Sequence, residues 1–126
     1  MERKTIQRQV ILKVIEKLEH STIPDILDAC KKSFASISVA TVYRNLEILE
    51  KENLIRRIPT KFKEDVYEST TKSIHDHFIC NECYSIVDLS RKENFEPFVN
   101  EYGDQVTEKT ITYYGTCLDC LNSKKC

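Results

Sequence analysis

The sequence predicts an α+β chain made of two small domains. The first is helical and ends in a two-stranded ribbon; the second is a small α/β unit stapled by metal. Three observations carry this. Apolar residues recur at helical spacing through the first fifty or so of the 126 residues, and strand-like segments around a basic turn follow. Four of the six cysteines form two C-x-x-C pairs. The net charge of -1 conceals a division: residues 1–63 carry 13 Lys+Arg against 8 Asp+Glu, and residues 64–126 carry 6 against 12. A basic half joined to an acidic half implies that the first meets a polyanion and the second does not.

Residues 5–19 read as an amphipathic helix, with Ile6, Val10, Val14 and Leu18 on one stripe and Ile11 and Ile15 widening it. Ser21 or Thr22 caps a second helix that tolerates Pro24 in its first turn and runs to about Lys32. Ser38 is the N-cap of a third, Val39–Glu52, which buries Val42, Leu46 and Leu49 and turns Thr41, Arg44, Asn45 and Glu47 outward. Strands are expected at Leu54–Ile58 and Asp65–Glu68, joined by the basic turn Pro59-Thr60-Lys61-Phe62-Lys63. Three helices and a ribbon, in that order, make a winged helix-turn-helix.

A linker at about 69–74 separates the domains, 1–69 and 70–126. Beyond it, a strand or hairpin is expected over His77–Leu89, a helix over Asn94–Tyr102 ended by Gly103, a strand over Gln105–Tyr114, and then a polar tail. No apolar run is long enough to span a bilayer, and the N-terminus lacks a signal-peptide core, so a cytoplasmic protein is expected.

In the cytoplasm, paired cysteines point to metal rather than disulfides. Cys80, Cys83, Cys117 and Cys120 can offer four thiolates to one tetrahedral zinc, with a strand–helix–strand insert closing the 33-residue gap. Four thiolates leave no open coordination position, so this zinc is structural. Cys30 reads as a buried small hydrophobe and Cys126 as a free terminal thiol. His75 and His77 share one face of a strand; with carboxylates at Glu68 and Asp88 they form a mixed N/O set suited to iron(II), manganese(II), zinc or nickel. His20, between the first two helices, is placed to clamp the two domains. On the third helix, headed by Ser38, the residues Thr41, Tyr43, Arg44 and Asn45 are candidates for bases or phosphates. Arg8, Arg56, Arg57, Lys61 and Lys63 are candidates for phosphates. No H-E-x-x-H or zinc-deaminase pattern is present, and no enzyme is expected.

Together these residues resemble the ferric uptake regulator family of bacterial repressors. Ser38–Leu46 resembles its recognition helix, and His75-Asp76-His77-Phe78-Ile79-Cys80-Asn81-Glu82-Cys83 resembles its H-x-H-x-x-C-x-x-C signature. Tyr114–Cys120 resembles its second zinc knuckle, and Thr5-Ile6-Gln7-Arg8 the opening of its first helix-turn-helix helix. The resemblance implies a homodimer, held by the second domain, that binds an AT-rich palindromic operator on double-stranded DNA when a regulatory ion is loaded. Besides the structural zinc, that ion would be Fe2+ or Mn2+, held by His20, Glu68, His75, His77 and Asp88.

The departures are informative. Members commonly have a further helix before the position of Thr5, and only four residues precede it here. Ile74 and Lys109 stand where some members have histidines of another site, so that site is expected to be absent. Zinc sensors often have a cysteine where this chain has Ser69, Thr70 and Thr71, which disfavours zinc as effector. Peroxide sensors share Asp88 but typically have Asp at the position of Glu68. The alternatives are a peroxide-sensing repressor of the same fold and, in another class, a structural zinc-ribbon interaction protein.

Overall fold

The computed structural model describes residues 3–91 and 93–123, and Cys126 lies outside them. The chain forms two compact units, Met1–Ser73 and Ile74–Cys126.

In the first unit, α1 (Arg3–Leu18) ends where Glu19 takes φ 64°, a left-handed turn that stops the helix. Helix α2 (Ile23–Cys30) starts at a reciprocal cap: the Thr22 hydroxyl accepts from the Asp25 amide, and the Asp25 carboxylate accepts from the Thr22 amide. Helix α3 (Val39–Lys51) starts at Ser38, whose Oγ accepts from the Thr41 amide at 3.1 Å. Strands β1 (Ile55–Ile58) and β2 (Val66–Ser69) pair antiparallel, with Arg56 opposite Glu68. The helices pack on this ribbon through Ile11, Ile15, Ile26, Leu46, Leu49 and Ile55, each no more than 2% exposed. Burial of each such side chain contributes about 2 kcal/mol before entropy is counted. Cys30 is buried in this core, as expected of a small hydrophobe.

The expected outward direction of Asn45 does not hold, since Asn45 is only 5% exposed. The buried positions of α3 are Val42, Asn45, Leu46 and Leu49, an i, i+3, i+4, i+7 stripe. Helical geometry therefore puts Asn45 on the core side, and polarity was the wrong guide.

In the second unit, β3 (Asp76–Cys80) is the centre of a three-stranded sheet. It runs antiparallel to β4 (Ile86–Leu89) and parallel to β7 (Thr112–Gly115). Parallel neighbours need a crossover. Here it contains the hairpin β5 (Phe98–Val99) and β6 (Gln105–Val106), not the helix expected over Asn94–Tyr102. Pro97 biases Glu96 away from the helical region and cannot donate a helical hydrogen bond. The Asn100 side chain then accepts from the amides of Tyr102 and Asp104, both at 2.9 Å. Gly103, at φ 91°, completes the turn in a conformation that glycine adopts cheaply. The strand expected over Gln105–Tyr114 is accordingly split between β6 and β7. The expected polar tail begins as a short helix, α4 (Leu118–Ser123). Among the described residues no helix is long and apolar enough to cross a membrane.

Candidate metal centres

The parallel register of β3 and β7 sets Cys80 beside Gly115, and the Asn81 amide donates to the Gly115 carbonyl at 2.8 Å. Both C-x-x-C loops therefore leave the same end of the sheet. Gly115 lets the Phe78 ring approach closely, since a Cβ there would lie 3.2 Å from that ring. The sulfurs of Cys80 and Cys120 stand 3.8 Å apart, and those of Cys83 and Cys117 3.7 Å. A tetrahedral zinc with Zn–S bonds of about 2.3 Å requires sulfur–sulfur edges of about 3.8 Å. The four cysteines fit that ion.

The loops also prepare thiolates. Cys80 Sγ receives amide hydrogens from Glu82 at 3.4 Å, Cys83 at 3.5 Å and Cys117 at 3.4 Å. These donors, the Cys83 amide foremost and then that of Cys117, hold the Cys80 thiol down to about 6. The Ser85 hydroxyl, 3.2 Å from Cys83 Sγ, lowers the Cys83 thiol. Cys120 is pushed up, chiefly by its neighbour Cys117, so the metal-free cluster keeps a proton there that zinc would displace. Tyr84 adopts φ 62° directly after Cys83. A non-glycine residue held there costs about 1 kcal/mol or more, a strain borne by the ligand loop. Ser85 was not singled out in the sequence; its only signal is a hydroxyl two residues past a knuckle cysteine.

A second donor set gathers around the start of β3, with His75 just before the strand, His77 on it and Asp88 on β4. His75 Nε2 lies 3.2 Å and His77 Nε2 3.5 Å from one oxygen of Asp88, and the two rings stand edge to face at 4.5 Å. Asp88, on β4, sits directly opposite His77. Asp76, between the histidines, faces the other way and takes two hydrogen bonds from Arg91, at 3.0 and 2.8 Å. Arg91 also donates to the Lys109 carbonyl. This largely buried pair was not read from the sequence, and it stiffens the start of β3.

In the first unit, Ser21 and Tyr67 exchange backbone hydrogen bonds, at 3.1 and 2.7 Å. That bridge aligns the preceding His20 with the following Glu68: His20 Nε2 lies 3.5 Å from Glu68 Oε1. Glu68 is 1% exposed.

The expected DNA-binding residues divide into four groups. Tyr43, Arg44, Arg57, Lys61 and Lys63 are exposed. Ser38 and Thr41 bond to each other at the head of α3, and Arg44 Nη2 donates to the Thr41 hydroxyl at 3.3 Å. Arg8 bonds to the buried Asn45. Arg56 donates to Glu68 and to the carbonyls of Ser69 and Lys72, so its guanidinium is engaged within the first unit.

Residues 2–114 match the ferric uptake regulator family. The chain belongs to that family. As a member it is a metal-dependent, DNA-binding transcriptional regulator with a structural zinc and a separate regulatory metal. It is 34% identical over 124 residues to the peroxide-responsive repressor PerR of Staphylococcus saprophyticus, covering 94% of this chain and 82% of that protein. It is 31% identical over 126 residues to the ferric uptake regulation protein of Campylobacter jejuni, covering 95% and 80%. Among solved structures it is similar to the Helicobacter pylori ferric uptake regulator Fur, with a TM-score of 0.76 at 26% identity, covering 92% and 80%. It is also similar to the Campylobacter jejuni peroxide stress regulator, with a TM-score of 0.73 at 31% identity, covering 94% and 91%.

Proposed function

We propose that this ferric uptake regulator family protein is a cytoplasmic homodimeric repressor. Residues 1–69 bind an AT-rich palindromic operator, and residues 70–126 dimerise and hold metal. The regulatory ion is held by His20, Glu68, His75, His77 and Asp88, and the structural zinc by Cys80, Cys83, Cys117 and Cys120. The observation that carries this reading is the convergence of two imidazole nitrogens on one Asp88 oxygen, at 3.2 and 3.5 Å. Such a nitrogen and carboxylate set suits Fe2+ or Mn2+. An ion that binds one arrangement of the units better than others shifts the population toward it, and DNA affinity is coupled to metal by the same free energy. The protein's own chemistry in this reading is binding, with no catalytic residue.

Metal content by mass spectrometry tests it, on the wild type and on His75→Ala/His77→Ala. One zinc per chain should stay in both, and a second ion should be lost only from the variant. Equal metal in both proteins would refute the regulatory site.

A second reading, peroxide sensing, is favoured by the identity to peroxide-responsive relatives. Peroxide treatment of the iron(II) form should then add an oxygen atom to a peptide containing His20 or His75. An unmodified histidine after loss of DNA binding would count against it.

A further inference from the structure

Among the interactions described, the carboxylate of Glu68 meets two neighbours, one at each oxygen. Oε1 lies 3.5 Å from His20 Nε2, and Oε2 accepts from Arg56 Nε at 3.2 Å. The register of β1 and β2 places Arg56 directly opposite Glu68. Arg56 Nη2 donates further to the carbonyls of Lys72, at 2.9 Å, and Ser69, at 3.4 Å. Three acceptors thus fasten the guanidinium in place. Arg57, its neighbour on β1, is exposed.

A fixed cation behind a buried carboxylate has two consequences. Without an ion, it helps to compensate the buried charge of Glu68. With an ion at Oε1, its positive charge repels that ion, and its hold on Oε2 opposes two-oxygen coordination. We propose that Arg56 is a built-in counter-ion that shares Glu68 with the regulatory ion and weakens that ion's binding, setting the metal concentration at which the protein responds. This rests on Glu68 being a ligand of the regulatory site, as proposed above.

The test uses the full chain with its cysteine-bound zinc retained. The Mn2+ dissociation constant is measured by competition with a chromogenic chelator, so no DNA readout is needed. Arg56→Gln removes the charge and should tighten Mn2+ at least about tenfold, since two like charges within several ångströms in a partly buried site cost more than the factor-of-ten free energy. Arg56→Lys keeps the charge and should stay near the wild type. If Arg56 only supported the fold, both variants would bind Mn2+ more weakly. Unchanged or weaker binding by Arg56→Gln overturns the proposal. Arg56→Met carries the same expectation should the Gln variant fail to fold. Equal Mn2+ binding by the wild type and Glu68→Ala overturns the proposal by a different route, because the site itself would then be wrong.

Discussion

Arg8 on α1 donates from Nε to Oδ1 of Asn45 on α3 at 3.1 Å, and Asn45 Nδ2 donates to the Thr41 carbonyl at 2.9 Å. A buried amide on the core stripe of α3 thus ties the first helix to the third. The carboxamide satisfies one neighbour with each of its two ends, and the Arg8 side chain is held by its ε-nitrogen alone among the bonds described.

Asn45 is therefore expected to act on DNA through Arg8. Asn45→Ala should cost about 1–3 kcal/mol of stability, because a buried hydrogen-bonding pair is broken. It should also weaken operator binding, whereas in an Arg8→Ala background the same change should weaken it little further. Fluorescence anisotropy on all four proteins reads the cycle. Fully additive losses would mean that Asn45 and Arg8 act independently.

Exposed basic residues should separate by role. Lys61→Ala or Lys63→Ala in the turn of the ribbon should weaken binding to all sequences alike, and each should lower the slope of log affinity against log salt by about 1. Arg44→Ala, near the head of α3, should instead alter the preference between operator variants. An Arg44→Ala protein with uniformly reduced affinity and unchanged preference would reassign that residue to the phosphates.

Zinc should hold the second unit and leave the first largely untouched. Its sheet is small, and the cysteine loops close it at one end, so the binding free energy of the ion is also folding free energy. Cys83→Ser or a strong chelator should abolish the cooperative melting of the second unit. The helical signal of the first unit should survive, as followed by circular dichroism. Unchanged melting after verified zinc loss would remove the metal from the stability of the fold.

Burial in the apolar core disfavours the thiolate of Cys30 and raises its pKa above the ordinary thiol value. A group raised in the folded state stabilises the fold fully below its unfolded pKa, and that contribution is lost as pH rises through the higher folded value. Stability should therefore fall on the alkaline side, and Cys30→Ala should flatten that limb. Near neutral pH, alkylation followed by mass spectrometry should find Cys30 the slowest of the described cysteines to react in the zinc-free protein. Fast labelling of Cys30 in the folded state would contradict its burial.

Local signals determined much of this protein. The caps at Thr22 and Ser38, the 3.6-residue stripe of α3 and the two C-x-x-C pairs each work through neighbours a few residues away, so their consequences could be read along the chain. The four-cysteine cluster was legible for the same reason: paired spacing is itself a ligand geometry. Tertiary structure decided the rest. The crossover became a hairpin because Pro97 and the Asn100 turn outweigh the helical spacing of Phe95, Phe98, Val99 and Tyr102. The direction of Asn45 followed from where α3 packs, and its polarity gave no hint of it. Arg56 and Arg57 are adjacent and chemically identical in the sequence. Only strand register, which alternates side chains between two faces and sets Arg56 opposite Glu68, turns one toward a buried carboxylate and leaves the other exposed.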